Sequence, residues 1–266
     1  MNMFWHELNS LRKSTILWTC TLIALAGIYF SVYPAIANDA ADFKRLLGGY
    51  PASVRAILGI SLDSITSLLG FYSMIFSFIT LCGAIQAMNL GVSILSKEMR
   101  ERTADFLLVK PVSRSAIVSS KLLAALTMLI ITNVIYYAAA SILAVMVKTA
   151  DFSVTLFFMI NLTLLFIQLI FFSIGAAVTV IIPKLKSVLP VSLGVVFGFF
   201  FIGAFLATGE NDAARFLSPF KYFNPSYIIR NSNYEAPYLI TGAVIVIIAT
   251  VTAYIIYAKK DIHAVS

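Results

Sequence analysis

Ser96 to Lys121 of this 266-residue chain reads SKEMRERTADFLLVKPVSRSAIVSSK, and it carries most of the groups that could act on another molecule. Lys97, Arg100, Arg102, Lys110, Arg114 and Lys121 form the densest basic cluster in the sequence, interleaved with Glu98, Glu101 and Asp105. Lys97–Glu101 and Glu98–Arg102 are opposite-charge pairs four residues apart, each adding about 0.2–0.5 kcal/mol to an exposed helix. Leu95, Met99, Thr103 and Phe106 recur at helical spacing and give that helix an apolar stripe. Pro111 ends it, and Ser113 is placed to cap the next helix. The local reading is a short amphipathic helix, a tight Pro turn and a new helix entering the membrane, and the alternative is a solvated loop that only sets topology. Reaction chemistry is poorly provided for. The chain has no HExxH, no GxSxG and no phosphate-cradling GxxxxGK[ST]. Its two histidines, His6 and His263, stand at opposite ends. A second set of polar groups lies inside apolar runs: Gln86, Asn89, Asn133, the pair Tyr136-Tyr137, Asn161 and Gln168. Such side chains hydrogen-bond between helices at about 0.6 kcal/mol on average, or line a weakly polar pathway.

The elements that must hold these groups are set by composition. Hydrophobic residues make up 60% of the chain and charged residues 12%, against roughly 45–50% and 25% in ordinary globular proteins. Several runs exceed the roughly 20 apolar residues that cross a bilayer. The fold class expected is all-α: a polytopic membrane protein with six transmembrane helices, one transmembrane domain over 1–266, and no separate soluble domain. The net charge of +7 sits at the ends of apolar runs, as topology signals do, and is not a nucleic-acid footprint. Cys20 and Cys82 both fall in apolar runs and read as small core residues.

In chain order, residues 1–14 read as a helix at the membrane surface, with Phe4, Leu8 and Leu11 on one face and Trp5 at headgroup level. The expected spans are Ile16–Ile36, Ile65–Leu95, Leu122–Val147, Val154–Ile182, Val188–Leu206 and Tyr238–Tyr257. By these boundaries no span contains Asp, Glu, Lys, Arg or His. The first run is longer than the apolar region of a secretory signal and reads as an uncleaved anchor. Residues 37–63 suggest two short amphipathic helices around Gly48-Gly49-Tyr50-Pro51. Thr208 to Ala236, rich in Pro and aromatic residues, suits either the interface or re-entrant half-helices. Six spans put both termini on one side. With the N-terminus inside, twelve of the 19 Lys and Arg residues fall inside and seven outside, which predicts cytoplasmic termini and a cytoplasmic Ser96–Lys121 segment.

The pattern resembles the membrane subunit of type-2 ABC exporters, permeases that carry no ATPase of their own. The match is strongest at Glu98 or Glu101, Thr103, Leu107-Leu108, Pro111 and Ser113-Arg114. It departs at Arg102, where the family often has Gly. FWHELNSLRKSTILW, LLGGYPASVRAILG with Gly70-Phe71, and FLSPFKYFNPSYI resemble the family's surface helix, first external loop and segment before the last span. The resemblance implies that residues 96–110 are a cytoplasmic coupling helix docking on an ABC ATPase subunit. ATP and Mg would be bound by that partner and no cofactor by this chain. It also implies a dimer with a second permease copy or paralogue, in the cell membrane. The coupling residues it points to are Glu98, Arg100, Glu101, Arg102, Phe106, Leu107 and Arg114. Gln86, Asn89, Asn133, Tyr136, Asn161 and Gln168 are candidates for the pathway lining. The competing reading is an ATPase-independent channel or regulatory membrane anchor, with the basic segment acting as scaffold. Nearly neutral spans favour an amphiphilic substrate such as a lipid, a peptide antibiotic or a hydrophobic drug.

Overall fold

The computed structural model describes residues 2–51, 54–55, 60, 62, 64–100, 113–182, 187–206 and 212–259. These residues form helices and turns, and among them there is no strand. The long helices are α1 (Asn2–Asn38), α3 (Leu68–Arg100), α4 (Arg114–Val147), α5 (Val154–Ile181), α6 (Val188–Leu206) and α8 (Ala236–Lys259). Two short helices join them, α2 (Ala40–Gly48) and α7 (Pro225–Asn231), with 3₁₀ turns at Asp212–Leu217 and Pro219–Lys221. All six long helices are apolar and long enough to cross a membrane. The caps follow from sequence: the Ser113 hydroxyl accepts from Ala116 N–H, Ser153 from Leu156 N–H, and Asn224 from Ser226 N–H beside Pro225.

α3 and α5 are the centre. Two thirds (67%) of the apolar window of each is buried, against 11% in α8. They run parallel and touch backbone to backbone. A Cβ on Gly91 would stand 2.2 Å from the Phe172 carbonyl oxygen, and one on Gly175 would stand 2.7 Å from that of Met88. Small residues are what allow such approach where lipid removes the hydrophobic drive between helices. The Thr179 hydroxyl uses the closeness to reach Val92 O at 3.0 Å. α1 and α4 form a second parallel pair against this centre, α6 packs on α3, and α8 packs on α5 and touches α4. Large apolar side chains left exposed, among them Leu17, Ile28, Val134, Ile142, Phe205, Ile240 and Ile247, form the surface that a bilayer covers.

Four expectations change. Cys20, expected as a small core residue, is exposed on α1. The surface helix and first span are one continuous helix of 37 residues, about 55 Å long at 1.5 Å per residue. Nothing in Asn9 to Ser14 breaks a helix, and Thr15 and Thr19 spend their hydroxyls on carbonyls one turn back. Likewise α3 passes unbroken through Leu95 and Ser96, so residues 96–100 are its last turns. The third long helix starts at Arg114, eight residues before the expected span, which brings Lys121 inside it. The bundle thus holds buried ionisable groups that the sequence boundaries had left outside.

Candidate coupling end and polar joints

α1, α3 and α4 meet at the end of the bundle where the Ser96–Lys121 segment leaves and returns. Each is longer than the roughly 30 Å hydrocarbon layer requires. Lys121 is fully buried among them. Its Nζ donates to Glu7 Oε1 at 3.0 Å and to Ile94 O at 3.1 Å, so one ammonium ties α4 to α1 and to α3. Lys97 Nζ makes a second α3–α1 tie, donating to Ser10 Oγ at 2.7 Å. Glu7 is also buried, and its Oε2 has no hydrogen-bond partner among the described residues. A dry ion pair of this kind is costly to break, since the survivor keeps its charge without water, about 3–5 kcal/mol. The joint fixes the root of the basic segment to the helix pair α1–α4.

Two further joints cross the bundle. In the middle, Gln168 Nε2 donates to Gln86 Oε1 at 3.1 Å, and Gln86 Nε2 donates to Thr132 Oγ1 at 3.2 Å. Asn133 Nδ2 donates to Gln168 Oε1 at 2.5 Å, and the Thr19 and Thr132 hydroxyl oxygens lie 3.3 Å apart, within hydrogen-bond distance. The chain of bonds runs α1–α4–α3–α5. Towards the other end, Tyr72 OH donates to Asn161 Oδ1 at 2.7 Å and lies 2.9 Å from Tyr136 OH. Tyr72 also stacks on Phe30 and packs against Phe157. Five of the six candidate pathway residues are therefore hydrogen-bonded between helices, and four of them (Gln86, Tyr136, Asn161 and Gln168) are buried within one chain. Asn89, half-buried on α3, takes part in neither joint.

A family profile described as "ABC-2 family transporter protein" matches residues 1–262. The chain belongs to the ABC-2 transporter family. No curated protein matches it. As an ABC-2 permease it is a membrane transport subunit of the class that associates with an ABC ATPase subunit.

Of the expected coupling residues in this permease, Arg114 opens α4 and is half-buried. Glu98 and Arg100 have their backbone in the last turn of α3. Glu101, Arg102, Phe106 and Leu107 lie outside the described residues. Sequence reasoning missed Glu7, Thr19, Tyr72 and Thr132, and it assigned Lys121 to the loop. The signal for Glu7 was present: Glu7, Leu11, Thr15, Thr19, Leu22, Ala26, Phe30 and Tyr33 fall three or four residues apart on the inward stripe of α1.

The opposite end is closed by the segment before α8. Arg215 holds Glu235 with two bonds, NH1 to Oε1 at 3.0 Å and NH2 to Oε2 at 2.6 Å. Its guanidinium also lies 4.2 Å over the Tyr238 ring. Tyr234 donates to Met159 O at 2.9 Å. Burial pushes its pKa up to about 12, so the hydroxyl remains a donor at neutral pH. Ile228 of α7 is buried in the cluster with Tyr33, Phe71 and Phe157. The segment thus folds back onto the end of the bundle.

Proposed function

We propose that this ABC-2 permease is the membrane half of an ATP-driven exporter. A second copy or a paralogue completes the pathway, and a separate ATPase subunit supplies the work. The observation that carries this reading is the joint beneath the basic segment. Residues 96–110 emerge from α3 and return through α4, and Lys121 grips Glu7 of α1 and the Ile94 carbonyl of α3 at their root. A push on that segment would move three helices as one lever. The rigid α3–α5 contact at Gly91 and Gly175 would carry the tilt to the far side of the bundle. Both termini and the basic segment face the cytoplasm of the cell membrane in this reading, which the excess of Lys and Arg on that side supports. ATP and Mg bind the partner. Glu98, Arg100, Glu101, Arg102, Phe106, Leu107 and Arg114 meet it. The interhelical hydrogen bonds of Gln86, Asn133, Tyr136, Asn161 and Gln168 act as joints that keep the helices in register, and a pathway lining from these residues would need the joints to open during transport. The amphiphilic substrate passes between two permease halves.

The orientation and the assembly are tested together. In a background with Cys20 and Cys82 replaced by Ala, a thiol at Ser113 should resist an impermeant reagent added to intact cells. A thiol at Thr149, at the opposite end, should react. In nanodiscs the mass should be that of two permease copies, or of one with a paralogue. The reverse labelling pattern, or full transport by a monomer, would remove the proposal.

A further inference from the structure

The end of the bundle away from the basic segment holds a pocket that the coupling scheme does not use. After α6 the chain turns back inward. Ser218 Oγ donates to Phe199 O at 2.8 Å, seven residues short of the end of α6. Phe220 packs on Phe171 and Phe200, with ring centroids at 5.1 and 5.6 Å. This insertion carries Lys221 against α3. Lys221 lines a cavity of about 40 Å³ with Ser77, Thr80, Phe200, Ala204 and Phe220. Ser77 stands nine residues into α3, about 14 Å along its axis. A cation at that depth is rare unless it faces a route or a ligand.

Among the described residues no carboxylate answers the charge of Lys221. Glu235 has both carboxylate oxygens taken by Arg215, whose NH2 also donates to the Lys221 carbonyl at 3.1 Å. The Thr80 hydroxyl is spent on Ser77 O at 2.9 Å, which leaves the Ser77 hydroxyl as the second donor lining the cavity. The space exceeds the roughly 10–15 Å³ that one water needs, and it takes a few waters or one small tetrahedral or planar anion. The remaining walls, Phe200, Ala204 and Phe220, are apolar and suit a hydrocarbon body.

We infer that this pocket binds the anionic head of a membrane amphiphile, with the Lys221 ammonium as counter-charge and the Ser77 hydroxyl as second donor. An ammonium offers three donors and an anion accepts them with charge assistance, so head and cation each lose the cost of standing alone in a dry site. The apolar walls select an amphiphile over a free ion. The inference requires the bilayer but not the ATPase or the export reading, so it is tested by binding alone.

The probe is phosphatidylglycerol, titrated into phosphatidylcholine nanodiscs containing the purified full chain, with bound lipid counted by native mass spectrometry. The wild-type protein should prefer phosphatidylglycerol by about tenfold or more, the scale of a charged hydrogen-bonded contact. Lys221→Gln should bring the preference close to one, Lys221→Arg should keep it, and Ser77→Ala should lower it about threefold. Lys259→Gln, which alters an exposed cation on α8, should change nothing. Equal melting temperatures across the set exclude loss of fold as the cause. A tenfold preference surviving in Lys221→Gln would overturn the inference. So would loss of the preference in Lys221→Arg, or displacement of the lipid by inorganic phosphate at matching concentration.

Discussion

Lys121 is the residue on which the coupling end turns. In sequence it closes a polar segment, and counting it as a topology signal is reasonable: a basic residue next to an apolar run normally marks a membrane boundary. In the fold it lies on the inward stripe of α4 with Ile117, Ala125, Met128, Thr132 and Tyr136, facing a stripe of α1 that contains Glu7. Helical register decides its burial, and the register was readable only once the helix was known to begin at Arg114. Lys121→Met should therefore leave Glu7 charged in a dry site and cost about 3–5 kcal/mol. The double change Lys121→Met with Glu7→Leu should restore most of that stability, because a well-packed apolar pair replaces a buried ion pair at little cost. Thermal unfolding in detergent measures both. Transport should remain low in the stable double variant, since the tie to the Ile94 carbonyl is gone. Full transport in that variant would mean the joint is structural only.

Among the elements, α3 and α5 show what the sequence displayed and what it withheld. Their lengths and apolarity were plain, and Gly70, Gly83, Gly91, Gly175, Gly194 and Gly198 all read in sequence as helix-contact positions. Which glycines touch which helix was not legible, because Gly194 and Gly198 look the same in sequence yet face open space. Gly91→Ala places a methyl group against the Phe172 backbone, where no side chain can swing aside. It should force the two helices apart at a cost of about 1–3 kcal/mol or more. Folded protein recovered from the membrane should fall, while Gly194→Ala and Gly198→Ala leave it unchanged. Equal recovery of all three would mean that α3 and α5 do not pack at this distance. The segment before α8 was legible only as aromatic and irregular. Its folded-back path depends on long-range bonds such as Ser218 to Phe199 O and Arg215 to Glu235, which no local pattern announces.

At the scale of the whole molecule, the six-helix architecture and the family could be read from apolar runs and from four ordered motifs. The fourth and sixth spans came within two residues and Val188–Leu206 coincided with α6, whereas the first and third helices begin well before the expected spans. The internal joints could not be read, because pairing Gln86 with Gln168 or Tyr72 with Asn161 needs the relative register of separate helices. The central claim is that the segment leaving α3 passes the work of an ATPase into this bundle through an apolar anchor and charged rims. The most direct measurement is co-purification of the ATPase subunit with Phe106→Ala, and with Phe106→Ala combined with Glu101→Arg, alongside transport and the amount of permease in the membrane. Truncating a buried aromatic anchor commonly costs about 2 kcal/mol, so ATPase binding should weaken about thirtyfold. Transport should fall with it, and the permease level should stay at wild type, as the proposed cytoplasmic placement of the segment requires. ATPase association and transport both at wild-type level in the double variant would contradict the account and leave the segment as a topology signal alone.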